Sequence, residues 1–112
     1  MEEELKARLS KAISEFNNNR YKILKLAYDS GGNSAVQKAE EEYDALRDAY
    51  FEILRRQLDK NNHLYEQLIK NANTETNKLT ESIQQLENIN KIIELTAAVV
   101  NLIGRIIITL GI

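Results

Sequence analysis

"YDSGGNSAVQ" (28–37) is the sharpest punctuation in a chain of 112 residues that otherwise has very little. Proline is absent, and glycine occurs four times, as Gly31, Gly32, Gly104 and Gly111. Gly31 can take the left-handed conformation that closes a helix, having no Cβ to meet the neighbouring carbonyl. Ser34 then offers a hydroxyl to the free N–H groups of a new helix, and Gln37, three residues on, completes a capping box. A turn confined to 30–33 brings the chain back on itself. Helices predicted over 3–29 and 34–70 should therefore lie antiparallel as a hairpin.

The flanks repeat as such a hairpin requires. Before the turn, Leu5, Leu9, Ala12, Ile13, Phe16, Ile23 and Ala27 recur at threes and fours, which places them on one helical face. After it come Val36, Ala39, Tyr43, Leu46, Tyr50 and Ile53, and the seam then drifts through Leu54, Leu58, Asn61 and Tyr65 to Leu68 and Ala72. That shift reads as a stutter. Folding about residue 32 sets Lys22 and Lys25 near Glu40, Glu41 and Glu42, Lys11 near Glu52, and Glu4 near Lys60. Exposed pairs are worth only ~0.2–1 kcal/mol each, so they select register more than they stabilise. Arg20 occupies a core position between Phe16 and Ile23, so it is expected to be buried against Tyr43 or Asp44.

"NANTETN" (71–77) gathers Asn and Thr, which compete for backbone hydrogen bonds and favour caps. A break or bend is expected there, with a last helix over 78–112. Abundant Leu, Ile, Glu, Lys, Ala and Gln without proline indicates an all-α fold. The expected architecture is one helical domain, 1–112: an antiparallel hairpin extended into a three-helix bundle or a long coiled coil.

The last twenty-one residues, "IIELTAAVVNLIGRIIITLGI" (92–112), pose the functional question. On a helical wheel Lys91, Glu94, Ala98, Asn101, Arg105 and Thr109 share one arc, a polar stripe, while most of the remaining circumference is apolar. Beside that stripe runs a row of small residues, Asn90, Ala97, Gly104 and Gly111, with Ile93, Val100 and Ile107 alongside. Such a row lets a second helix approach closely. The segment is long enough to span a bilayer, but Arg105 alone costs about 3 kcal/mol there and Asn101 and Glu94 add to the penalty. Burial within the subunit or between copies is the favoured reading. In organisation alone, an amphipathic coiled region followed by an apolar helix is similar to small phage-type lysis-associated proteins and helical pore-forming toxin subunits.

Chemistry-bearing patterns are sparse. Net charge is −2 with signs interspersed, which is not the footprint of a nucleic-acid binder, and cysteine is absent. His63 stands with Asp59 and Glu66 on one side of the predicted helix, opposite the local seam, where a solvated face is the expected reading. Glu40, Glu41, Glu42 and Asp44 lack the turn of a calcium loop. Tyr21 and Tyr28, and Tyr43 and Tyr50, are spaced at sevens within each predicted helix, without a basic groove beside them. No catalytic, metal or cofactor residues are assigned. The sequence points to a non-enzymatic, cytoplasmic helical interaction protein that self-assembles through its C-terminal half. A membrane-active or membrane-anchored protein using 92–112, a pore or lysis component, is the alternative, and an adaptor docking on a larger helical protein is the third.

Overall fold

Glycine does reverse the chain, but through the second residue of the pair. In the computed structural model, which describes residues 1–86 and 88–112, the helices are α1 (Glu2–Asn18), α2 (Arg20–Arg55), α3 (Tyr65–Gln85) and α4 (Ile89–Leu110). Helix α2 folds back on itself at Gly31 and Gly32. Gly32 takes φ +69° and ψ −153°, a conformation open essentially to glycine alone, whereas Gly31 sits at φ −154°. The left-handed role expected of Gly31 therefore belongs to Gly32. The capping box does not form either: Gln37 donates forward to Glu41 Oε1 at 3.1 Å instead of turning back toward Ser34, which lies exposed.

The reversal makes the hairpin antiparallel. Phe16 stacks on Tyr43 with ring centroids 4.7 Å apart, and Arg20 donates to Glu40 Oε1 at 3.2 Å. Arg20 is not buried, since 45% of its side chain is exposed; it lies across the Tyr43 ring at 5.7 Å while Phe16 and Ile23 take the core positions. A guanidinium this close to a ring keeps part of its hydration and still gains the cation–π attraction. The anticipated pairs of Lys22, Lys25, Lys11 and Glu4 across the hairpin are replaced by Arg20–Glu40 and by local pairs such as Glu4–Arg8. Glu52 is held by Arg55 and Arg56, and the Arg55 hydrogen bond keeps its carboxyl below the usual carboxylate range.

The predicted helix bounds change in three places. Asn19 interrupts the span 3–29 with φ −106° and ψ 12°, its side-chain amide donating to Glu15 O at 2.8 Å. The span 34–70 ends at Arg55, because residues 56–64 are a loop. There Asp59 Oδ1 accepts from Asn61 N at 3.0 Å and Asn62 Oδ1 accepts from Leu64 N at 2.8 Å. These short polar side chains offer the backbone an alternative to the helix. The drift read as a stutter is thus a helix end.

Residues 71–77, where a break was expected, lie inside the uninterrupted α3. Their hydroxyls bond to the preceding turn, Thr74 to Lys70 O at 3.1 Å and Thr76 to Ala72 O at 2.7 Å, so Thr76 can be fully buried. The span 78–112 is instead shared between two helices, α3 ending at its left-handed cap Leu86, φ 52°.

Together the four helices make an all-α bundle. The part beyond the first hairpin is itself a hairpin, α3 with α4. Helix α1 packs on α2 and α3, and α4 packs on the same two. α3 runs parallel to α1: Tyr65 meets Glu2 at one end, and Leu86 lines a groove with Lys22 and Leu26 at the other. The first arm, residues 2–30, spans about 44 Å at 1.5 Å per residue and sets the 47 Å long axis.

Gly32→Ala is expected to cost ~1–2 kcal/mol through the strained backbone, read from urea denaturation, and Gly31→Ala distinctly less.

Candidate interaction surface on the fourth helix

Helix α4 is built from a heptad seam. Ile89, Ile92, Thr96, Val99, Ile103, Ile106 and Leu110 alternate steps of three and four, and all are buried. β-Branched side chains dominate the seam, where packing against α2 and α3 outweighs their modest helix propensity. Thr96 is completely shielded, and its hydroxyl donates to Ile92 O at 2.7 Å. Asn88 caps the N-terminus by accepting from Lys91 N at 3.2 Å.

A backbone clasp holds the other end. Leu58 and Gly111 form an antiparallel bridge, with Asp59 N donating to Leu110 O at 2.7 Å and Ile112 N to Gln57 O at 2.9 Å. The 56–64 loop is thereby tied to the C-terminal residues at the base of the bundle. At the same base Tyr65 donates its hydroxyl to Glu2 Oε2 at 2.9 Å, with both residues buried. Burial, and then the Glu2 carboxylate, pushes the Tyr65 phenol up to about 12.

On the outer side, Lys91, Glu94, Asn101 and Arg105 are exposed along one stripe, while Ala98 and Thr109 are half-buried. In the adjoining row Ile93 is buried, Ala97, Val100, Gly104 and Ile107 are half-buried, and Asn90 and Gly111 are exposed. The two glycines of that row differ. A Cβ at Gly104 would meet nothing within 4 Å, so no helix of the same chain approaches closely there. A Cβ at Gly111 would stand 2.4 Å from Ile107 O, the carbonyl that Gly111 N caps at 3.0 Å. Gly111 serves the end of its own helix and drops out of the interhelical row.

Ile108 was missed. It is 86% exposed on the open edge beside Ala97 and Gly104. Its signal was present in the sequence: it continues the sevens of Glu94 and Asn101, where its neighbours in the row are polar. His63 lies exposed in the 56–64 loop, so the shared helical face proposed with Asp59 and Glu66 does not exist. Among the described residues no three His, Cys, Asp or Glu side chains gather as metal ligands.

No protein-family model matches the chain, and neither a curated protein nor a solved structure resembles it at a significant level.

The two glycines are expected to respond with opposite sign in thermal denaturation. Gly104→Ala gains about 0.5–1 kcal/mol from helix propensity in open space. Gly111→Ala loses about 1–2 kcal/mol as the cap and clasp hydrogen bonds shift.

Tyr65 gives a pH signature. Its phenol holds its proton more tightly folded than unfolded, so that stability is complete below about pH 10 and is lost as pH rises toward 12. Spectrophotometric titration of the folded chain should show a late tyrosinate phase that Tyr65→Phe removes.

Proposed function

We propose that this chain is a non-enzymatic helical interaction protein that self-associates through the outer edge of α4. The observation carrying the reading is the junction of Ala97, Gly104 and Ile108. An isoleucine 86% exposed stands beside a glycine with free space over it, on a helix whose opposite face is already covered. Small residues beside a large apolar one let a second helix seat closely, with the large side chain filling the space over the glycine. Asn101, on the same edge, supplies a polar contact that can fix register. The proposed setting is the cytoplasm, with other copies of the chain as partners.

Membrane contact is the second reading, supported by one observation. Helix α4 has 22 residues, and an 18-residue window in it reaches a mean hydropathy of 1.8, enough by length and composition to cross a bilayer. The buried seam of Ile92, Val99, Ile103 and Ile106 faces the bundle, so reaching lipid by that face requires α4 to leave α2 and α3 and to open the clasp. In the folded chain α4 packs on α2 and α3 through that seam.

Sedimentation velocity and vesicle flotation separate the two readings. Ile108→Glu changes an exposed position and is expected to leave helicity intact while weakening self-association at least about tenfold. Gly104→Leu should likewise reduce the assembled mass. Unchanged mass in both variants overturns the α4 interface, and stronger flotation of Gly104→Leu at unchanged mass favours the membrane reading.

A further inference from the structure

The outer stripe of α4 has the same spacing read from either end. Lys91, Glu94, Ala98, Asn101, Arg105 and Ile108 follow one another at steps of three, four, three, four and three. They form a second heptad seam, on the side of the helix opposite the buried one. Ala98 is half-buried and the other five are exposed. Every charged residue of α4 lies on this stripe: Lys91, Glu94 and Arg105. Among the described residues neither Glu94 nor Arg105 forms an ion pair.

A seam of this period is covered by another helix of the same period, and the order of its charges decides which one. Turned end for end about the midpoint of Val99 and Val100, the stripe falls on itself. Glu94 then stands opposite Arg105 of the other copy, and Arg105 opposite Glu94 of the other copy, so a single two-fold axis makes both pairs. The same axis sets Ala98 opposite Asn101, which keeps the centre of the contact narrow. Lys91 falls opposite Ile108, with its aliphatic stem over the isoleucine and its ammonium toward the negative, C-terminal end of the other helix. An axis perpendicular to the helices also keeps each flank against its own copy. The row of small residues therefore meets itself, Ala97 passing beside Gly104 of the other copy. Two copies running in the same direction would set Lys91, Glu94 and Arg105 each against itself, with like charges in contact at all three. A uniformly acidic or basic partner would satisfy one of Arg105 and Glu94 and repel the other.

We infer that α4 takes the α4 of a second copy antiparallel, as an isologous pair centred between Val99 and Val100 and joined by two Glu94–Arg105 ion pairs. This rests on the self-association proposed above and adds its direction and register. An isologous contact closes on itself, so assembly through α4 stops at a dimer.

The test compares the full chain with Glu94→Arg, Arg105→Glu and the double variant by sedimentation velocity. The unaltered chain should sediment as a dimer. Each single reversal places like charges opposite each other twice and should weaken the dimer at least about tenfold. Both reversals in one chain put opposite charges back, and the affinity should return to within about threefold of the unaltered chain. Positions 94 and 105 are eleven residues apart, roughly 16 Å along the helix, so no contact within one chain can produce that return. The chain has no cysteine, so a disulfide reports direction independently of affinity. Lys91→Cys mixed with Ile108→Cys should give the mixed disulfide, and neither variant alone should form one, because antiparallel copies hold like positions roughly 25 Å apart. Three results overturn the antiparallel pair while leaving self-association through α4 in place: disulfides of each variant with itself, single reversals that leave the affinity unchanged, or a double variant as weak as the singles. A chain that stays monomeric, free or bound to vesicles, overturns the self-association and this inference with it.

Discussion

Water must be kept from the inner face of α4, and that requirement organises the bundle. Its seam of four isoleucines, one valine, one leucine and one threonine at steps of three and four cannot be left exposed without a large loss of hydrophobic stabilisation, about 1.5–3 kcal/mol for each large side chain. Two neighbours are needed to cover a face that wide, and α2 and α3 supply them. Each is in turn covered by α1. The order of dependence therefore runs from the last helix backward, although the chain is built from the first.

Two buried threonines are accommodated at short range. Thr76 and Thr96 turn their hydroxyls onto the preceding helical turn, so threonine serves as a core residue of nearly valine shape. Glu2 and Tyr65, distant in sequence, satisfy one another at the base and join the start of α1 to the start of α3. The same base holds the backbone clasp between the 56–64 loop and the last residues. Removing any of these contacts loosens the end at which three separate stretches of chain meet.

What remains on the outside is sparse and therefore informative. Scattered exposed apolar residues are ordinary on a folded surface. Ile108 stands beside an open glycine, and Phe51 and Leu54 stand beside a guanidinium laid over aromatic rings. Both are helix edges where apolar area stands next to empty space or to a guanidinium.

Periodicity alone determined a good deal: the all-α class, the hairpin centred on the glycine pair, the placing of Phe16 and Tyr43 in one seam, and the polar stripe of Lys91, Glu94, Asn101 and Arg105. These follow from local rules, because apolar spacing and glycine content act on the chain wherever it lies. Tertiary structure decided what local rules leave balanced. Residues 71–77 remained helical, with Thr74 and Thr76 bonding their hydroxyls to the preceding turn and Thr76 buried, while the similarly polar 56–64 became a loop whose backbone closes onto Gly111. Gly31 and Gly32 are equivalent in sequence, and only the path of the returning arm assigns the left-handed conformation to Gly32. Gly104 and Gly111 look alike on a wheel, but one faces solvent and the other its own helix carbonyl. A sequence records which side chains can pack together; which atoms stand within a few ångströms of a missing Cβ depends on where distant segments come to rest.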